Sequence, residues 1–235
     1  MLKDNQVYEK KRSIFMIVSV VLISCGVMAV NDAVISPNYV VKCVLKLALF
    51  TTLPLIYFQY SKDSSFRDLF KGSRKSMGVS LLMGIGVYTF IMASYFLLRP
   101  YFDLGNVIIY LENGIGVNKD SFIITALYIS FINSFLEEWF FRGFAFITLK
   151  KIANRKVAYL FSACLFSAYH IAMMTSWSSV TLLLLLVVSL FFSGLLFNYL
   201  NEKNGHIYVS WMVHMFANFA INTVGCILFG IIDLT

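Results

Sequence analysis

The chain has 235 residues, of which 59% are hydrophobic and only 13% charged, where a soluble domain carries about 25% charge. A mean hydropathy of +0.78 excludes an ordinary soluble domain. The net charge of +7 lies mostly in short loops between apolar runs, which points to a membrane surface and away from nucleic acid.

The first apolar run, Ser13 to Val30, follows Lys10-Lys11-Arg12. It lacks an A-x-A-like cleavage site and is long enough to span, so it reads as a retained anchor. Further runs follow at Tyr39 to Tyr60, Ser76 to Leu98, Ser121 to Leu149, Val157 to Met174, Ser178 to Leu200 and Ile207 to Ile231. About 20 apolar residues span the hydrocarbon core, so each predicts a transmembrane helix. The fourth run is too long to be only a span, and its end is expected along the interface. The last run is open to a break near Asn218 to Asn222, which would raise the count from seven to eight. The expectation is an all-α polytopic membrane bundle of seven to eight transmembrane helices. It forms a single transmembrane domain over residues 1–235, with no internal repeat. Cys25, Cys43, Cys164 and Cys226 are isolated within apolar runs and form no C-x-x-C pair, so neither a disulfide framework nor a zinc ribbon is expected.

Fourteen cationic residues fall at the N-terminus and in alternate loops, including Lys62 to Lys75, Lys150 to Lys156 and Lys203. The other loops carry only Arg99 and Lys119. The positive-inside rule then predicts a cytoplasmic N-terminus. Only three prolines and abundant Phe, Ile and Lys suggest a bacterial plasma membrane.

Polar groups inside these runs are functional candidates, because a charge at the bilayer centre costs at least about 2.5 kcal/mol. Lys42 and Lys46 share one helix face near the start of the second run, where their stems could snorkel to the outer interface. Pairing with an acidic group or a lipid head is the alternative. Glu138 and Arg142, at i,i+4, suit an ion pair. Glu137 points about 100° away from Glu138 around an α-helix and needs another partner or a wet cavity. Counting inward from the cytoplasmic ends, Glu137 and His170 lie about 20 Å deep, His214 about 12 Å and Asn218 about 18 Å. A carboxylate, two imidazoles and an amide from three helices thus fall in one slab, which suggests a shared polar site.

The residues that form this slab also resemble a known pattern. Glu137-Glu-Trp-Phe-Phe-Arg142 is similar to the E-E-x-x-x-R motif of the CPBP family of intramembrane proteases. That family includes the type II CAAX prenyl endopeptidases and the Abi bacteriocin-immunity proteins. Phe166-Ser-Ala-Tyr-His170 resembles its F-x-x-x-H motif, and His214-Met-Phe-Ala-Asn218 its H-x-x-x-N motif. The resemblance covers roughly Ile124 to Val224, within a motif-bearing core of about 121–231. It implies a bundle of about eight helices around a conical polar cavity. It also implies that Glu137 and His170 activate a water, that His214 and Asn218 stabilise an oxyanion, and that Glu138 and Arg142 hold the site together.

Glu137, His170 and His214 also make a set with the ligand count of a catalytic zinc site. No H-E-x-x-H is present, and metal-free glutamate-type catalysis without a cofactor is the preferred expectation. The expected activity is hydrolysis of a hydrophobic, membrane-associated peptide or protein within the lipid bilayer, with no nucleic-acid partner. The alternatives are a non-proteolytic membrane regulator or bacteriocin-immunity protein that uses the same polar site for binding, and a transporter or proton relay. Oligomeric state is not legible.

Overall fold

A backbone in hydrocarbon must satisfy its own hydrogen bonds, so apolar runs of this length fold as helices. The computed structural model describes residues 2–61, 64–72 and 74–233, and among them every regular element is helical. Lys62, one of the cations used to orient the chain, lies outside the described residues, as do the side chains of Lys3, Arg74 and Lys75.

Helix α1 covers Leu2–Val30 and continues through a wider turn at Asn31–Ile35. Helices α2 and α3 cover Tyr39–Ser61 and Arg74–Leu98. A short helix, α4, at Gly105–Gly114, meets the long α5, Lys119–Ile152, at a bend of 90°. The chain then forms α6 at Arg155–Met174, α7 at Val180–Asn204 and α8 at Tyr208–Leu228. Among the described residues, six helices are long and apolar enough to cross a membrane, or seven if α4 and α5 form one broken span.

All seven apolar runs are helices. The eighth helix is α4, too short to stand out by hydropathy. The last run does not break: α8 is continuous through Asn218 and Asn222. Those two amides reach the carbonyls of a neighbouring helix, Ile129 at 3.2 Å and Ala126 at 3.0 Å, and leave their own backbone intact.

The C-terminal half of α5 lies inside the bundle. Every residue from Leu136 to Leu149 is buried, as expected of a helix that is apolar all round. α5 is therefore the central post of the bundle. α1 lays Ile17, Val21, Ser24 and Met28 inward along one helical stripe. α2 does the same with Lys42, Lys46, Phe50, Pro54 and Tyr57. Between α2 and α5, the rings of Phe50 and Phe140 stack with centroids 3.9 Å apart.

One of the bonds between α2 and α5 meets a carbonyl that α2 itself leaves open. Pro54 has no N–H, so the carbonyl four residues back, that of Phe50, loses its helical donor. Trp139 supplies the replacement, donating Nε1–H to Phe50 O at 3.0 Å. Between α6 and α7 the contact is made by small residues. A Cβ added at Gly194 would lie 3.0 Å from the Cα of Ala163. At one end of the bundle, Glu202 of α7 joins Lys150 at 3.1 Å, Arg155 at 2.6 Å and Tyr159 at 2.5 Å. This ties α5, α6 and α7 together where the loop cations gather.

Candidate functional site

The winding of α5 widens twice along its length. Two segments, Ile129–Asn133 and Glu138–Thr148, adopt the wider i→i+5 pattern. Such bulges are uncommon and recur at functional sites. They flank the short α-helical turn Ser134–Glu137 that presents Glu137.

Glu137 is 2% exposed and has two different oxygens. Oε1 accepts from Lys46 Nζ at 2.5 Å and from Asn133 Nδ2 at 3.1 Å. Oε2 has no hydrogen-bond partner among the described residues. It faces two ring nitrogens, Nε2 of His214 at 3.6 Å and Nε2 of His170 at 3.9 Å. The partner that Glu137 required is therefore Lys46, and its second oxygen points toward the imidazoles.

Both imidazoles are held by their other nitrogen. His170 Nδ1 lies 2.7 Å from the Phe166 carbonyl, which can only accept, so Nδ1 carries the hydrogen. His214 Nδ1 lies 2.9 Å from Glu138 Oε1, again an acceptor. Each ring then turns its Nε2 toward Glu137 Oε2. Aromatic walls complete the setting: Phe166 meets His170 edge-on at 4.9 Å, and Phe197 stacks on His214 at 5.3 Å.

Glu138 is fully buried and reaches the other nitrogen of the same His214 ring. Besides His214, its carboxylate accepts from Ser210 Oγ at 2.5 Å and faces Arg142 NH1 at 3.4 Å. The expected i,i+4 ion pair is present. None of the guanidinium nitrogens makes a hydrogen bond among the described residues. The charge of Arg142 is instead met by Glu138 and by ring faces, with Cζ 3.9 Å from the centroid of Phe166 and 5.0 Å from that of Phe197.

The structure thus brings together Glu137, Glu138, Arg142, His170 and His214 from α5, α6 and α8. Asn218 lies one turn beyond His214 on α8 and donates to Ile129 O, in the first widened segment of α5. Among the described residues it makes no hydrogen bond to Glu137. One of its two amide hydrogens is committed to that carbonyl.

Lys42 and Lys46 do not snorkel. They are 8% and 6% exposed, because they continue the buried stripe of α2 and do not face lipid. Lys42 pairs with Asp32 at 3.2 Å and reaches Tyr110 OH at 3.4 Å. Lys46 bridges Glu137 and Asn133, whose Oδ1 lies 2.6 Å from Nζ. Sequence reasoning missed Asn133, Ser210 and Asp32 as partners. A signal for the lysines was available, since Lys42, Lys46, Phe50 and Pro54 recur every four residues. Asn133 precedes Glu137 by the same interval.

Among the described residues, no group of three or more His, Cys, Asp and Glu side chains is arranged to hold a metal ion. At Glu137 there is a clear physical reason. Its carboxylate already carries the Lys46 ammonium, and a second cation would meet that charge at close range.

Comparison with curated proteins gives no match, and neither does comparison with solved structures. One family does match, described as Type II CAAX prenyl endopeptidase Rce1-like, over residues 119–220. The match opens on the first residue of α5 and closes within α8, so it contains every motif residue named above. Residues 119–220 of this membrane-embedded bundle are accordingly similar to the family described as Type II CAAX prenyl endopeptidase Rce1-like.

Proposed function

We propose that the protein is an intramembrane endopeptidase that hydrolyses a hydrophobic, membrane-associated peptide by a metal-free, Glu- and His-activated water. The observation that carries this reading is Glu137 Oε2, buried, without a hydrogen-bond partner among the described residues and faced by two imidazole Nε2 atoms. A water bound among these acceptors would give its two hydrogens to two of them and keep a lone pair for attack. As its oxygen bonds to the substrate carbonyl carbon, one proton passes to the Glu137–histidine set, and the carbonyl electrons move onto its oxygen. Collapse of that tetrahedral species breaks the C–N bond, and the same proton goes to the leaving nitrogen.

The oxyanion calls for donors. Asn218 keeps one N–H beyond its bond to Ile129. His214 has already given Nδ1–H to Glu138, so its Nε2 becomes a donor only after it takes a proton. In this reading Glu137 takes the proton of the attacking water and passes it to His214, which then stands as an electrostatic partner beside the oxyanion. Glu138 holds the ring for this, and Arg142 balances Glu138.

The reading includes a bacterial plasma membrane with the N-terminus cytoplasmic, on the charge bias of the loops. A cysteine placed at Lys71 should then resist an impermeant thiol reagent in intact cells.

The deciding experiment uses protein reconstituted in liposomes and two quenched fluorescent peptides. One ends in a farnesylated Cys-aliphatic-aliphatic-X tail, and the other is its unprenylated twin. Hydrolysis of either that falls at least about 10²-fold in Glu137→Gln supports the proposal. In parallel, peptides from cells carrying wild type or Glu137→Gln are compared by mass spectrometry. Equal probe turnover by both proteins, or two identical peptide profiles beside a phenotype that Glu137→Gln fully supports, overturns it in favour of a non-proteolytic binding role.

A further inference from the structure

Catalytic motifs occupy α5, α6 and α8, yet the shortest polar contact at Glu137 comes from α2. That helix lies outside the Rce1-like segment of residues 119–220. Lys46 Nζ reaches Glu137 Oε1 at 2.5 Å and Asn133 Oδ1 at 2.6 Å, and Asn133 Nδ2 closes the triangle on the same Oε1 at 3.1 Å. The remaining faces of the ammonium are aromatic, with the Tyr169 ring centroid 4.9 Å away and that of Phe50 5.4 Å. Lys46 is thus held as firmly as the carboxylate it holds.

A carboxylate has two equivalent oxygens, and rotation about its last bond exchanges them. A base that must face a water at one fixed point gains from losing that freedom. Two donors on one oxygen and none on the other remove it. We propose that Lys46, with Asn133, is a positioning residue that fixes which oxygen of Glu137 faces His170 and His214. It touches neither substrate nor water. It acts by pinning Oε1, so that Oε2 alone stands against the two Nε2 atoms.

The same contact answers two other questions. Glu137 and Glu138 are adjacent and buried, and each has its own cation, Lys46 for the first and Arg142 for the second. The site is electrically balanced before substrate arrives, and neither imidazole is required to be charged. Loss of Lys46 would leave a lone buried carboxylate, which takes up a proton in preference to remaining charged. A protonated Glu137 cannot accept a proton from water.

This inference rests on the hydrolase reading for its kinetic consequence, but the pinning itself is measurable without turnover. Dicyclohexylcarbodiimide is an apolar reagent that reacts with protonated, unpaired carboxyls inside membranes. Wild-type protein and the Lys46→Met, Lys46→Arg and Lys46→Met/Glu137→Gln variants are treated, digested and read by mass spectrometry. Glu137 should stay unmodified in wild type and in Lys46→Arg, and become labelled in Lys46→Met. With the fluorescent peptides of the previous section, Lys46→Met should lose kcat on the order of 10²-fold with KM unchanged, and Lys46→Arg should recover much of it. The neutral double variant guards against misfolding, because it removes both charges together. Its thermal midpoint should return toward wild type while its activity does not.

Labelling of Glu137 in wild type to the same extent as in Lys46→Met overturns the proposal. So does an Lys46→Met protein that keeps wild-type kcat. If wild type hydrolyses neither peptide but the labelling follows the expected pattern, the pinning of Glu137 stands and the hydrolase reading falls.

Discussion

Nδ1 of His214 lies 2.9 Å from Oε1 of Glu138, so the residue next to the proposed base holds the ring that faces that base. The same carboxylate is the counter-charge of Arg142, which is 0% exposed. Glu138→Met, which has no oxygen to accept from the ring, should therefore do two separable things. Leaving Arg142 buried without its partner should cost about 3–5 kcal/mol of stability. Losing the acceptor on Nδ1 should free the His214 tautomer and lower kcat in whatever protein folds. Adding Arg142→Met should restore the thermal midpoint in detergent but not the turnover. Recovery of both would reduce Glu138 to a counter-ion.

Asn218 and Asn222 allow a structural role to be separated from a chemical one. Each donates its amide to a carbonyl of α5, that of Ile129 for Asn218 and that of Ala126 for Asn222, which also reaches Ser130. Asn218→Ala and Asn222→Ala should each destabilise by about 1–3 kcal/mol, the cost of an unmet buried acceptor. Only Asn218→Ala should also lower kcat, by roughly 10²–10³, if its second N–H meets the oxyanion. The comparison is made at equal amounts of folded protein, with KM measured separately. Similar kcat values for the two variants would remove Asn218 from the chemistry.

The Trp139–Phe50 bond predicts a compensating pair. Trp139→Phe keeps the ring packing but removes the donor to the orphan carbonyl, for a loss of about 1–3 kcal/mol. Pro54→Ala returns a helical N–H to that carbonyl. In the Pro54→Ala background, Trp139→Phe should cost clearly less. A double-mutant cycle on thermal midpoints reads the difference, and full additivity would show that the carbonyl is not the point of coupling.

The cation already on Glu137 leads us to propose that the site works without a metal. Purified protein should keep its peptidase activity after prolonged chelation, and elemental analysis should find no stoichiometric zinc. A bound zinc that disappears together with activity in His170→Ala or His214→Ala would require Lys46 to leave the carboxylate.

The fold was legible because hydropathy and span length act on whole segments, and the seven apolar runs became helices. The missing element, α4, is short, and nothing in a ten-residue window separates it from a loop. The site was legible as far as its motifs reach. Glu138 and Arg142 were paired correctly because i,i+4 spacing is a local property. Lys46 was misjudged because its partner lies 91 positions away, and no periodicity within α2 records what stands across from it. The burial of its face was readable, since Phe50, Pro54 and Tyr57 follow on the same stripe. The widened winding at Ile129–Asn133 left no sequence signature, although the amides of Asn218 and Asn222 that cover it were visible as unexplained polar groups.

The distance in sequence between Lys46 and Glu137 also bears on how the protein is made. A chain is synthesised from its N-terminus, so α2 reaches the bilayer long before α5 exists. Lys42 meets Asp32 at once, since that residue precedes it. Lys46 has no such neighbour and must wait for a carboxylate 91 residues downstream. Until then α2 carries an unmatched charge whose insertion at the bilayer centre costs about 2.5–3.5 kcal/mol. The nascent helix is therefore expected to enter the membrane reversibly and to become committed only when α5 arrives. The ion pair that arms the proposed base would then also be the latch that completes assembly, so a chain that fails to seat Glu137 would fail to retain α2.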